Sequence, residues 1–222
     1  MTNIPMISVD GPSGSGKGTV AMKVASSLGF HYLDSGAIYR ALGIALHKES
    51  VSFNNHSQIS EIYNKSQIFF DSSKPGTVIL NGEDVSSLIR SELGSDYASR
   101  LGQIPEVREI LLEGQRAYRK EPGLVADGRD MGTVVFPDAN LKIFLTASLN
   151  ERANRRYKQL ISKGIDAILP DLLRDLNQRD RRDAERRVSP LKPAKDAMVL
   201  DSTNLSIEEV VSRILERFKG DG

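Results

Sequence analysis

Nine consecutive residues, Gly11-Pro12-Ser13-Gly14-Ser15-Gly16-Lys17-Gly18-Thr19, have the composition to hold a polyphosphate. Glycines remove the Cβ atoms that would keep an anion away from backbone N–H groups, so successive amides converge on phosphate oxygens. Lys17 completes the spacing Gly-x-x-x-x-Gly-Lys and reaches the outer phosphates as a point charge. The run departs from the common form at Gly18, where Ser or Thr usually supports Mg²⁺; the hydroxyl comes one residue later, at Thr19. Mg²⁺ is therefore expected to sit mainly on triphosphate oxygens and water. Thr19 and the strand-end carboxylate Asp127, the latter through water, would support it. A helix cap or turn is the competing role for Asp127. For the loop as a whole the competing reading is a flexible Gly/Ser turn, which its strand–loop–helix context opposes.

Phosphoryl transfer between two anions needs a second positive cradle, because charge spreads over the transferring oxygens. Two segments offer one: Asp34-Ser35-Gly36-Ala37-Ile38-Tyr39-Arg40 and Asp127-Gly128-Arg129-Asp130-Met131-Gly132. Each follows an apolar run, so Arg40 and Arg129 sit where strands give way to loops or helices. A guanidinium grips phosphate in a bidentate way that lysine does not. A solvated surface charge is the ordinary fate of a lone Arg; two in matching strand exits beside a phosphate loop favour anion binding. His31, His47 and His56 suggest no chemistry.

A third concentration of charge lies between Glu151 and Arg187, where nine Arg and two Lys meet seven acids. Arg152, Arg155 and Arg156 recur at helical spacing on a face largely opposite Leu149 and Leu160. Arg179, Asp183 and Arg186 would share one face of an unbroken helix. A salt-bridged, solvated surface accounts for such a helix in isolation. Beside a phosphate loop, a lid that brings Arg to the transferring group and excludes water is the stronger alternative. No general base is required, since an acceptor phosphate is already an oxyanion near neutral pH.

The elements that would position these groups are legible. Five apolar runs read as buried strands: Ile4–Val9, Phe30–Leu33, Gly123–Ala126, Leu141–Leu145 and Ala197–Leu200. Four of them run straight into a carboxylate, and helices separate them, which predicts a parallel sheet with function at the strand C-termini. Val20, Val24 and Leu28 form one helical stripe closed by Gly29; Ile38, Ala41, Leu42, Ala45 and Leu46 form another. Val107, Ile110, Leu111 and Tyr118 form a third after Pro105, and Ser148/Glu151 and Ser206/Glu209 are capping-box pairs. Residues 66–86 break the alternation: Gln67–Phe70, a Ser72-Ser73-Lys74-Pro75-Gly76 turn and Thr77–Leu80 predict an inserted antiparallel hairpin.

The chain has 222 residues, of which 39% are hydrophobic and 27% charged, as in an ordinary globular protein. With 30 Lys+Arg against 29 Asp+Glu, a net charge of +1 opposes a nucleic-acid coat. Cys is absent, which excludes disulfides, thiolate metal sites and a Cys nucleophile. The opening Met1-Thr2-Asn3-Ile4-Pro5 lacks signal-peptide character and no apolar run is long enough to span a bilayer, so a cytoplasmic monomer is expected, with no membrane or stable nucleic-acid partner.

Several blocks together resemble the bacterial cytidylate kinases: Gly11–Thr19, Leu33–Arg40, Ala126–Pro137, Arg179-Asp180-Arg181-Arg182-Asp183 and Leu200-Asp201-Ser202-Thr203. The likeness runs essentially end to end. It implies transfer from ATP, as MgATP, to CMP or dCMP, giving ADP with CDP or dCDP. By that resemblance Gly11, Pro12, Ser13, Gly14, Ser15, Gly16, Lys17, Gly18 and Thr19 bind ATP. Ser35, Ser99, Arg108 and Asp130 would surround cytosine, Arg40 and Arg129 would hold the acceptor phosphate, and Arg179, Asp183 and Arg186 would meet the ribose and phosphates. Lys17, Arg129, Arg179 and Arg186 would carry catalysis. The expected fold is α/β: one P-loop kinase domain over 1–222, a five-stranded parallel sheet flanked by helices. It would carry an insert at about 61–104 that binds the acceptor nucleotide and an Arg-rich lid at about 152–187. Two alternatives stand beside this reading. One is a related small kinase acting on UMP, AMP or an alcohol; the other is a P-loop switch or RNA-binding module.

Overall fold

Strand β1 (Met6–Asp10) is buried along its whole length, as expected of a central parallel strand covered on both faces. The computed structural model describes residues 4–71, 76–162 and 164–220; Met1–Asn3 and the expected turn at Ser72–Pro75 lie outside them. The strands are β1, β2 (His31–Asp34), β3 (Ile68–Asp71), β4 (Thr77–Leu80), β5 (Glu83–Asp84), β6 (Leu124–Gly128), β7 (Leu141–Thr146) and β8 (Met198–Asp201). Five of them form a parallel sheet in the order β2-β6-β1-β7-β8. All five apolar runs of the sequence enter this sheet. The first begins two residues later than expected, at Met6, whose N–H goes to the Asn140 side chain at 2.9 Å.

The chain divides into two compact units, Met1–Leu33 with Arg116–Gly222, and Asp34–Gln115. In the first, helix α1 (Lys17–Leu28) packs on the sheet beside the C-terminal helix, and Val20, Val24, Ile7, Val9, Val125 and Ile214 join one core. Gly29 ends α1 in the left-handed conformation, with its N–H on the Ala25 and Ser26 carbonyls.

The second unit contains α2 (Ser35–Lys48), α3 (His56–Lys65), the antiparallel sheet β3-β4-β5, α4 (Glu92–Leu101) and α5 (Pro105–Arg116). Asp34 caps α2 by accepting the Ala37 N–H at 2.9 Å. Helix α2 lies so close to α4 that a Cβ on Gly43 would fall 2.5 Å from that of Tyr97. Ala37, Ala41, Ile44, Val78, Leu80 and Ile89 form this unit's core. Tyr118 falls beyond α5, so the third stripe is shorter than its periodicity suggests.

The Arg-rich stretch is two helices in contact, α6 (Leu149–Ile161) and α7 (Leu169–Ala184), and α8 (Ile207–Gly220) follows. At α8 the capping box closes in both directions: Glu209 N–H to Ser206 Oγ at 3.2 Å, and Ser206 N–H to Glu209 Oε2 at 2.8 Å. At α6 only half of it forms. Ser148 Oγ accepts the Glu151 N–H, but the Glu151 carboxylate takes Arg155 at 2.9 Å instead. Among the described residues no helix is long and apolar enough to cross a membrane.

Candidate active site

The loop after β1 holds its shape through left-handed glycines: Gly14 has φ 77° and Gly16 φ 88°, which side chains rarely adopt. Gly16 opens directly into α1, so the helix N-terminus faces the loop. Lys17 spans it, with Nζ donating to the Pro12 carbonyl at 3.2 Å. Gly11 to Thr19 therefore form one continuous strand–loop–helix unit, as the spacing predicts.

Two arginines that helical spacing sets opposite Leu149 and Leu160, as part of a solvated face or a lid, bond to this loop's backbone. Arg152 is only 6% exposed; it donates to the carbonyls of Ala147 and Ser13 at 3.0 Å each and pairs with Asp180 of α7 at 2.6 Å. Arg155 donates to Ser15 O at 3.1 Å and to the carbonyl and hydroxyl of Ser202, just past β8. Periodicity alone could not find this, because the acceptors are backbone carbonyls far away in sequence.

Strand β6 lies beside β1 with Asp10 opposite Gly128, so its exit segment emerges next to the loop strand. Arg129 follows at once. Its Nε donates to Asp183 Oδ2 at 2.7 Å, and Arg186 pairs with the other oxygen, Oδ1. Burial alone would raise the Asp183 pKa, but Arg129 and Arg186 outweigh it and hold the carboxyl at about 2. For Arg129 burial disfavours the charge, yet Asp183, Asp127 and Asp180 raise its pKa further, so it stays cationic. The positive charges of Arg129, Arg179 and Arg186 all act on Asp183. Helix α7 ends at Ala184, so Arg186 reaches Asp183 from the segment after the helix rather than from a shared helical face.

Asp10 was not singled out by its sequence position. It is 4% exposed, and its two carboxylate oxygens accept the N–H groups of Met131 and Gly132 at 2.8 Å each. These amides open a π-helical turn, Met131–Val135, immediately after Arg129 and the buried Asp130. Asp10 thus ties the segment carrying both candidate ligands to the end of the loop strand. Burial pushes its pKa up to about 7, against the lowering effect of the two N–H bonds; Asp130 adds to the rise and Arg129 opposes it.

Asp127, 5% exposed, accepts the Tyr32 hydroxyl at 2.6 Å, and both its oxygens lie within 4 Å of where a Cβ on Gly18 would stand. A buried carboxylate facing the start of α1 suits a cation carried in on a triphosphate. Among the described residues no group of three or more His, Asp or Glu forms a metal site by itself.

In the second unit Ser35, at the start of α2, is buried and donates to Gln115 Oε1 at 2.7 Å. Ser99 on α4 is 3% exposed, and its hydroxyl has no hydrogen-bond partner among the described residues. Arg108 on α5 donates to Gly102 O at 3.2 Å and lies 5.8 Å from the centre of the Tyr39 ring. Arg40 pairs with Asp34 at 3.5 Å. Gln115 was missed by sequence reasoning; an amide on an otherwise apolar stripe was the available signal.

A glycine-rich loop between a parallel strand and a helix, with arginines and carboxylates at the exit of the neighbouring strand, defines a P-loop kinase fold. The chain belongs to the cytidylate kinase family, whose model matches residues 7–220, and it is a phosphotransferase. It is 53% identical over 215 residues to the cytidylate kinase of Stutzerimonas stutzeri, covering 96% of this chain and 94% of that one. It is 54% identical over 213 residues to that of Pseudomonas entomophila, with 95% and 93% covered. A structure of an uncharacterized protein from Eubacterium ventriosum aligns with TM-score 0.52 over 98% of this chain and 99% of that one; at 11% identity it speaks to the fold alone.

Proposed function

We propose that the chain transfers the γ-phosphoryl group of ATP directly and in line to CMP and dCMP, giving ADP with CDP or dCDP. The buried ionic cluster of Arg129, Asp183 and Arg186 beside the phosphate loop carries this reading. An acceptor phosphate arriving there would meet guanidinium groups already oriented and desolvated. Gly11 to Thr19 would cradle ATP, with Lys17 on its outer phosphates. Arg40 and Arg129 would hold the acceptor phosphate, and Arg179, Asp183 and Arg186 would meet its ribose and phosphate. Lys17, Arg129, Arg179 and Arg186 would stabilise charge on the transferring oxygens.

Mg²⁺ would enter with ATP, neutralising phosphate charge, with Thr19 and, through water, Asp127 in support. Ser35, Ser99, Arg108 and Asp130 would bind cytosine. The exocyclic amine that separates cytosine from uracil can donate to Asp130, and its ring carbonyl can accept from Arg108. We assign the insert to about 61–104 and the lid to about 152–187, in a cytoplasmic monomer with no membrane or stable nucleic-acid partner.

A panel of acceptors under coupled ADP detection tests the base assignment. CMP and dCMP should lead, with UMP down by about 10- to 100-fold in kcat/KM, the value of one buried polar pair. Equal rates with UMP or AMP would overturn the cytosine pocket.

A further inference from the structure

The position after the P-loop lysine usually carries a Ser or Thr hydroxyl; here it is Gly18, and the nearest hydroxyl in sequence, Thr19, is exposed. The space a side chain would take at position 18 is bounded by two groups of the same compact unit. An ideal Cβ on Gly18 would lie 3.5 Å from the Tyr32 hydroxyl, 3.7 Å from Asp127 Oδ1 and 3.9 Å from Oδ2. Tyr32 and Asp127 are joined at 2.6 Å, a short charge-assisted bond in which the phenol donates. Thus a hydroxyl does stand beside Asp127, close to where residue 18 would place one, but it comes from β2.

We infer that Tyr32 is a positioning residue for Asp127. By donating to Oδ1 it restrains the carboxylate beside the start of α1, where a metal–nucleotide complex would arrive. Gly18 supplies no hydroxyl of its own, and a Cβ there would be in ordinary van der Waals contact with the phenol and the carboxylate. A phenol on a strand is a rigid donor, since the ring has two torsions and β2 is hydrogen-bonded into the sheet beside β6, the strand that carries Asp127. It follows that a hydroxyl at position 18 can replace the phenol: from a Cβ 3.7–3.9 Å from the carboxylate, Oγ is one bond nearer to hydrogen-bond range.

This inference rests on the reading of the loop as a site for a metal-bound nucleotide, and one experiment separates the two. The dissociation constant of Mn²⁺ from the protein–ADP complex is measured from the electron paramagnetic resonance signal of free Mn²⁺. The affinity for metal-free ADP is measured by calorimetry. Tyr32→Phe, which removes only the hydroxyl, should weaken Mn²⁺ about tenfold while leaving metal-free ADP binding within about twofold. The double variant Tyr32→Phe with Gly18→Ser should recover most of that loss. A kcat decrease in Tyr32→Phe with KM for CMP unchanged should accompany it. Unchanged Mn²⁺ affinity in Tyr32→Phe, an equal loss of metal-free ADP binding, or no recovery in the double variant would each overturn the inference. Failure of the wild-type protein to bind ADP at all would instead remove the reading of the loop, and the inference with it.

Discussion

Arg129 and Asp10 show how much rests on single side chains at one strand exit. Arg129 is held by Asp183, itself shared with Arg186, so its guanidinium is oriented and charged before any substrate arrives. Arg129→Ala should lower kcat/KM for CMP by about 10²- to 10³-fold, the typical loss of one oriented transition-state donor. ATP affinity by calorimetry should stay within about twofold, and an equal loss there would place Arg129 on the donor side. Asp10 acts through backbone instead. Its pKa is raised from 3.8 to about 7, so its contribution to stability is complete below pH 3.8 and is lost as pH rises through about 7. Asp183 works in the opposite sense: its contribution is present above pH 3.8 and disappears as pH falls toward about 2. Thermal melts between about pH 5 and pH 8 should show stability falling with pH in the wild type. Asp10→Asn should flatten that slope while lowering stability by about 1–3 kcal/mol, since the amide nitrogen opposes one of the two N–H donors. A slope unchanged in the variant would assign it to another group. The motif residues were legible because their spacing is local. Asp10, Tyr32 and Gln115 were not, because each earns its place through a partner on another element.

At the scale of elements, apolar runs marked all five strands of the parallel sheet, four of them ending in a carboxylate, and a capping box marked α8. Helices α3 and α4 and the short β5 carried weaker signals: α3 buries only Ile59, and α4 has Gly94 and Ser95 in its first turn. Arg186 misled because spacing assumes an unbroken helix, whereas α7 stops at Ala184. The most consequential departure is α6, whose buried face includes a charged residue. Arg152 links the phosphate loop, the end of β7 and α7, so the helix pair and the loop share one guanidinium. Arg152→Ala would strand Asp180 and two carbonyls; it should cost about 2–4 kcal/mol in chemical denaturation and raise the KM for ATP more than that for CMP. A KM effect confined to CMP would contradict the bracing role.

For the whole molecule, near-neutral charge conceals a division of labour. Within the Arg surplus between Glu151 and Arg187, Arg152, Arg155 and Arg186 turn to Asp180, Asp183 and carbonyls of the phosphate loop, while Arg174, Arg181 and Arg187 are exposed. That distribution fits recognition of two compact anions rather than of a polymer. The parallel order β2-β6-β1-β7-β8 places the exits of β1 and β6 side by side, and no side-chain property of either strand alone encodes that adjacency. Transfer of label from γ-³²P-ATP tests the central claim most directly. With CMP present, radioactivity should appear in CDP at a turnover of roughly 1–100 per second. Label released no faster with CMP or dCMP than in buffer, or released only as inorganic phosphate, would contradict it.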